Sequence, residues 1–445
     1  MKILILGAGE VGFNLTRLLS AEHDITLIEN DPHKVKRASE QLDAFIVEGN
    51  AVSYRTLKEA KIKDMDLLAA MTNNDEVNLI ACQIAREVGV STTIARVRNP
   101  EYTEPDFPIP RERLGPDLII HPEKETAATI VRLIRRSIAT DVIEFGDGKL
   151  QLLGIRLEGN APILRIPLKE LGEEFKGLPM RIVAINRKEH TIVPRGDDVL
   201  VPGDQIFVLS DPGYFDDIIR LTGKTNTRIN NIMILGGGLI SQFIARELGE
   251  EIHIKIIENR LEKSEYVADI LPNCLVIHGD GTDIDLLAVE GITDMDAFIA
   301  VTGSDETNII ATLVARHLKV PRTIALVNNV DYMPITPTIG MDAVVSKQLI
   351  TVNAVQRYIL HQQVTSIASL PGMDAQIIEY ITTPHSKITK KPLKKIHFPR
   401  NAIVGAVVHD GKVIIPMGDT QISAGDKVVI FTLPRALHEV EKLIY

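Results

Sequence analysis

Only two cysteines, Cys82 and Cys274, occur in 445 residues, and they lie far apart in apolar-periodic segments. No disulfide framework and no Cys-x-x-Cys redox pair can be built from them, so both read as buried thiols. The chain also lacks any apolar run near the ~18 residues of a membrane span, and it opens on a glycine-broken strand instead of a signal peptide. A cytoplasmic chain is therefore expected. Basic excess is missing: the formal net charge is -10, which argues against a nucleic-acid partner. The histidines show neither metal-ligand spacing nor a paired H-x-x-x-H, and no G-x-x-x-x-G-K-S/T loop is present. Tyr54 to Lys58 matches the Y-x-x-x-K of short-chain dehydrogenases, but it follows the third strand and lacks the usual preceding serine position. No catalytic residue and no metal site is assigned, and an enzyme is not expected.

With 24% charged and 45% hydrophobic residues the composition is that of an ordinary soluble globular chain. At ~150 residues per domain, its length suggests three or four units. The organising stretch is the N-terminal MKILILGAGEVG, an apolar run that flows into Gly7, Gly9 and Gly12 at the G-x-G-x-x-G spacing of strand, tight turn and helix start. Gly7 permits the turn, Gly9 leaves room for a pyrophosphate, and Gly12 lets the helix pack close to the strand. The loop residues Gly7, Ala8, Gly9, Glu10, Val11 and Gly12 are accordingly candidates for binding a cofactor, with the helix N-H groups facing its anion. A second strand, residues 24–29, ends in Glu29 at the position that holds ribose hydroxyls and repels a 2'-phosphate. A solvated strand-end acid is the alternative.

Further strands at 44–47, 67–71 and 93–97 alternate with helices at 31–41 and 75–88, the pattern of right-handed βαβ units and a doubly wound parallel sheet. The pattern returns about 230 residues later. Residues 231–241 read NIMILGGGLIS, residues 254–258 read IKIIE, and residues 62–86 laid over 292–316 are identical at about half their positions. The segment after each copy is duplicated as well: 193–208 and 415–430 share a proline, a Gly-Asp turn and a Gly-Asp hairpin turn before a β-rich run. The expected fold is thus α/β, two Rossmann-like sheets each followed by a small α+β domain. The expected boundaries are 1–122, 141–224, 229–345 and 363–445, with bridging helices at 123–140 and 346–362.

Paired Rossmann units with GAG or GGG after the first strand, an acid after the second, a G-D/N turn after the third and T-x-x-D-E-x-N after the fourth resemble the domains that regulate conductance of potassium (RCK domains). Two such units, each with its small C-terminal domain, are similar to the TrkA family, the peripheral subunits of Trk potassium uptake systems. The resemblance implies a regulatory subunit, homotetrameric and peripheral on the inner face of the membrane, that binds NAD or NADH, with ATP or ADP as further ligands. Its implied partner is an integral membrane potassium transporter subunit of the TrkH/TrkG kind. An NAD-dependent oxidoreductase with accessory domains, or a nucleotide sensor of another cation transporter, stands as the alternative.

In the second copy the matching candidates are Gly236, Gly237, Gly238, Leu239, Ile240 and Glu258, with Ser241 in place of the last glycine and Arg260 close enough to blur the acid's charge. Asn50 and Asp280 follow glycines at the third strand's end, where they can reach an adenine edge or simply form turns. Thr72, Asn73 and Thr302 stand at the sheet edge where ligands bind, while Asp75 and Asp305 read as helix N-caps. Arg96 and Arg98, two apart on the fifth strand, are expected beside the cofactor's phosphates, or else paired with carboxylates at a subunit interface. Their counterparts are Leu326 and Asn328, so anionic ligands should favour the first copy.

Overall fold

The computed structural model describes residues 1–104, 106–175, 178–188, 190–224, 227–329, 332–333, 335–336, 339–359, 364–370, 373 and 375–445. The first Rossmann unit consists of Lys2–Leu6 (β1), Glu10–Leu19 (α1), Asp24–Glu29 (β2), Pro32–Gln41 (α2), Phe45–Glu48 (β3), Tyr54–Glu59 (α3), Leu67–Ala70 (β4), Asp75–Glu87 (α4), Thr92–Arg96 (β5) and Leu118–Ile120 (β6). Its sheet order is β3-β2-β1-β4-β5-β6, and all of these neighbours pair in parallel. The order reverses between β1 and β4, so a crevice opens beyond their carboxyl ends, where ligands of doubly wound sheets bind. Helix α4 buries Leu79, Ala81, Cys82 and Ala85 against this sheet, the face its apolar periodicity selects.

Pro122–Arg135 (α5) leads into the first β-rich domain: Asp141–Phe145 (β7), Leu150–Arg156 (β8), Leu168–Glu174 (α6), Met180–Arg187 (β9), His190–Ile192 (β10), Gln205–Ser210 (β11) and Phe215–Leu221 (α7). The second Rossmann unit repeats the first: Asn231–Leu235 (β12), Leu239–Leu248 (α8), His253–Glu258 (β13), Leu261–Ile270 (α9), Leu275–His278 (β14), Ile284–Val289 (α10), Ala297–Ala300 (β15), Asp305–His317 (α11), Arg322–Leu326 (β16) and Ala343–Val345 (β17). Lys347–Ile359 (α12) precedes the second β-rich domain, which runs through Val364–Ser369 (β18), Gln376–Ile381 (β19), Ala402–His409 (β20), Lys412–Ile414 (β21), Lys427–Thr432 (β22) and Pro434–Ile444 (α13). The expected bridging helix 346–362 extends over 360–362, and the expected start of the last domain at 363 follows them; all four positions lie outside the described residues. The two antiparallel sheets bury Phe145, Val183, Phe207, Ile377, Val429 and Phe431 in one shared core.

Two compact units emerge: residues 1–126 with 347–358, and residues 127–346 with 359–445. Helix α12, which comes after the second Rossmann unit in sequence, therefore belongs with the first. In the other unit, Arg135 at the end of α5 pairs with Glu247 in α8 and with Glu251 just beyond it, at 3.4 and 3.7 Å. Of the thiols, Cys82 is buried as expected, whereas Cys274 is half-buried.

The two outer glycines of the first loop do different work. Gly7 has φ +93°, and a Cβ on Gly12 would come within 1.9 Å of the Gly7 carbonyl oxygen. Ser241 occupies the latter position in the second copy, where its buried hydroxyl donates to the Gly236 carbonyl. Gly12→Ala is expected to lower the stability of the first unit by about 1–3 kcal/mol, the cost of overpacking, as a fall in its thermal transition read by calorimetry.

Candidate functional site

At the carboxyl end of the first sheet lies a groove of about 390 Å³, lined among others by Gly7, Gly9, Glu29, Lys34, Asn50, Thr72 and Asn73. Gly9 caps α1 with extended backbone and no side-chain cap, so the first-turn N-H groups are left for an anion. A Cβ on Gly9 would meet nothing within 4 Å. It points into open space, which is the cradle a pyrophosphate requires. Val11 and Gly12 are buried beneath that turn, and Glu10 instead accepts from Gln348 Nε2 at 2.8 Å.

Glu29 is nearly buried, and its carboxylate accepts three backbone N-H groups: Ala8 at 2.6 Å, Asn30 at 2.8 Å and Asp31 at 2.9 Å. A carboxylate offers about four acceptor positions. Glu29 thus fastens the glycine loop to the end of β2 and keeps little capacity beyond that. Asn50 makes an Asx turn, accepting from Val52 N at 3.0 Å, and Asp280 accepts likewise from Thr282 N at 2.9 Å. Both are exposed.

The T-x-x-D-E-x-N stretch proves to be a backbone clamp. Buried Asn78 accepts from Thr72 N and Oγ1 at 3.0 and 2.6 Å, and donates to the carbonyls of Thr72 and Arg96 at 3.1 and 2.8 Å. Asn308 does the same for Thr302 and Leu326. Asp75 and Asp305 are not the N-caps their positions suggested. Asn74 and Ser304 cap α4 and α11, while Asp75 accepts from Arg98 N and Asn99 N, and Asp305 from Asn328 N and Asn329 N. The residue one earlier has the extended backbone a cap needs, and the aspartate is freed to hold the chain leaving the fifth strand.

Arg96 ends β5 and Arg98 lies beyond it. Arg96 Nη1 donates to Asn73 Oδ1 at 2.9 Å, linking it to the groove wall. Both guanidiniums then converge on Glu123, at 3.7 and 3.5 Å, and Lys347 joins them at 3.4 Å. Burial lowers the pKa of Arg96, and Glu123 works against that. The carboxylate partner of these arginines is thus a residue of the same unit, and three cations share it.

The second copy is electrostatically different in another way. Glu258 accepts from Gly237 N at 2.9 Å, but it also holds Lys263 Nζ at 2.5 Å, with Arg260 Nε at 3.6 Å as its spacing implied. Burial pushes its pKa up, and Lys263 with the Gly237 and Arg260 N-H groups more than offsets that, leaving it below its ordinary value. The counterpart of Lys263 is Lys34, which lines the first groove and lies 4.0 Å from Asp31. Gly238 caps α8 as Gly9 caps α1, with Leu239 half-buried and Ile240 buried behind it. Lys34, Glu123, Lys347 and Gln348 escaped the sequence reading. Lys34 carried a local signal, five residues beyond the strand-end acid in both copies; Lys347 and Gln348 carried none.

Comparison with known families identifies the domains. The TrkA-N domain model matches residues 3–122 and 232–347, and the TrkA-C domain model matches 152–223 and 377–445. The chain belongs to the TrkA family. It is 36% identical over 453 aligned residues to Trk system potassium uptake protein TrkA homolog 2 of Methanosarcina mazei, covering 100% of both chains. To Trk system potassium uptake protein TrkA of Azorhizobium caulinodans it is 32% identical, covering 100% of this chain and 98% of the other. Among solved structures, the GsuK channel bound to NAD has the same fold, at TM-score 0.63 and 19% identity over 100% of this chain and 78% of that one. Both domain models match twice, in the alternating order that the duplication in the sequence implied.

Among the described residues, no group of three or more His, Cys, Asp or Glu could hold a metal ion. The ion cluster yields a stability test. Glu123→Ala leaves Arg96 buried without its carboxylate and is expected to cost about 3 kcal/mol, whereas Lys347→Ala, removing one outer cation, should cost under about 1 kcal/mol. Chemical denaturation of the two variants compares them directly.

Proposed function

We propose that this chain is the cytoplasmic regulatory subunit of a Trk-type potassium uptake system, and that it binds NAD(H) or an adenine nucleotide in the groove of its first Rossmann unit. The observation that carries this reading is the groove itself, set in a chain whose family membership spans its whole length. An uncapped helix N-terminus behind Gly9, an open approach at Gly9 and a strand-end carboxylate at Glu29 fit pyrophosphate and ribose. Glu29 turns one oxygen to Ala8 N and the other to Asn30 and Asp31, so ribose hydroxyls would use its remaining acceptor position or displace one of these bonds. Asn50, Thr72 and Asn73 would contact the adenosine and ribose ends, and Arg96 with Arg98 would lend positive potential from behind Asn73.

Regulation instead of catalysis is supported by what lines the groove. Its polar side chains are amides, a hydroxyl, Lys34 and a glutamate already committed to backbone N-H groups. None is arranged as a proton donor opposite a substrate domain. Control would act by population shift, the ligand favouring one arrangement of a homotetrameric ring that docks on a TrkH/TrkG-like membrane subunit. No helix among the described residues is long and apolar enough to cross a membrane, consistent with a peripheral subunit. The second groove, whose acid is occupied by Lys263 and Arg260, is the weaker of the two.

Gly9 allows a clean test because its side-chain direction is empty. Gly9→Leu should leave the thermal transition unchanged and abolish NAD binding in calorimetric titration. Glu29→Ala should weaken NAD by about 1–3 kcal/mol, and NADP should bind the unaltered protein more weakly than NAD. Undiminished NAD affinity in Gly9→Leu would remove the groove from consideration. Copurification with the membrane subunit from detergent-solubilised membranes tests the partner.

A further inference from the structure

A second cavity, about 520 Å³, lies at the opposite end of the second Rossmann sheet, lined by residues at the amino ends of β15 and β16, the entry to β17, the end of β8 and the segment after α7. Five cationic side chains line it, Arg156, Lys224, Arg228, Arg316 and Arg322, against three carboxylates, Glu158, Asp296 and Asp342. The carboxylates are largely engaged. Asp342 accepts from Thr323 N and Oγ1 at 2.9 and 2.7 Å, Asp296 accepts from Asn230 N and Asn231 N at 2.8 and 2.9 Å, and Glu158 pairs with Lys224 at 3.0 Å.

The first copy shows what an ordinary version of this corner looks like. There Arg86, the counterpart of Arg316, lies 3.6 Å from Asp117, the counterpart of Asp342. Arg316 makes no such pair among the described residues. Its Nη1 donates to the Ile339 carbonyl at 3.1 Å, and its guanidinium lies over Gly340, where a Cβ would come within 1.2 Å of Nη1. Arg156 is brought close enough that Arg316 helps depress its pKa, after burial and against the pull of Asp342. Arg322, at the place of Thr92 in the first copy, is 5% exposed, and its buried Nε has no hydrogen-bond partner. Its Nη2 donates to the Ala139 carbonyl, and Asp342 and the buried Asp141 counter the effect of burial on its pKa. Guanidiniums brought together, with Nε still unpartnered, leave room for a further anion to complete the set.

We propose that this cavity is a separate anion site for a small phosphorylated ligand, bridging the first β-rich domain and the second Rossmann sheet. Five cations line the cavity against three carboxylates, and with Asp141 behind Arg322 as a fourth, whose pKa burial pushes up to about 6, a positive excess remains; a phosphate monoester carries about -1.5 to -2 near neutral pH. Guanidinium forks match phosphate oxygens in geometry as well as charge. The ligand would join Arg156, on the first β-rich domain, to Arg316 and Arg322, on the second Rossmann fold. It would be a regulatory input distinct from the glycine loops.

Calorimetric titration of the full chain with inorganic pyrophosphate, run in parallel with NAD, tests this. The double variant Arg156→Gln/Arg316→Gln alters a half-buried and an exposed side chain and should bind pyrophosphate about tenfold more weakly while keeping its NAD affinity. Glu158→Gln, which frees Lys224, should tighten pyrophosphate severalfold and does not depend on the arginine variant folding. Pyrophosphate affinity unchanged in both variants, or no pyrophosphate binding by the unaltered chain, would overturn the proposal. Loss of NAD binding alone, with the pyrophosphate pattern intact, would count against the groove and leave this site standing.

Discussion

The carboxylate at the end of the second strand is the constraint on which the carboxyl edge of the first sheet depends. Glu29 holds three N-H groups from two chain segments, and by doing so it fixes the loop that Gly7 turns and Gly9 opens. Hydrogen bonds to a charged acceptor contribute about 1.5–3 kcal/mol each, more than neutral ones. The loop is therefore held in place before a ligand arrives, which reduces the ordering cost of binding. Glu258 repeats the arrangement with one of those bonds replaced by lysine, so the same scaffold presents two strand-end carboxylates of different electrostatic character.

A second layer of constraint ties the fourth and fifth strands together. Asn78 closes four hydrogen bonds across the β4-α4 loop and the end of β5, and Asp75 anchors the chain just beyond. Neither side chain needs to touch a ligand to matter. By fixing the Arg96 carbonyl and the path of Arg98, they place the arginines where Glu123 can gather them with Lys347. Lys347 comes from the helix after the second Rossmann unit, so the cluster depends on a segment distant in sequence. Changes that move that helix alter the charge balance of this cluster.

Much of this was legible in sequence, and the parts that were not share a physical reason. Apolar runs ending in glycine located β1 and β12, and the duplication fixed the repeated architecture, because patterns of period two and 3.6 are local. The strand-end acids were found for the same reason, as was the crowding of Glu258 by Arg260. The T-x-x-D-E-x-N stretch drew attention as a ligand loop; its Asn and Asp satisfy backbone groups at and just beyond the end of the fifth strand, a task no linear pattern distinguishes from ligand contact. The assignment of α12 to the first unit was hidden too: 346–362 looked like the bridging helix of its own copy, and only tertiary packing decides which unit it joins. Arg96 and Arg98 were noticed for their charge, but their partner Glu123 belongs to a different element.

The most direct measurement is potassium or rubidium flux into vesicles that contain the purified membrane subunit and this chain, as a function of NAD and NADH. The regulatory reading predicts a flux that changes with dinucleotide concentration in the unaltered chain and loses that dependence when the groove is filled by Gly9→Leu. Flux that responds identically with the groove filled, or that ignores dinucleotide altogether, would contradict it.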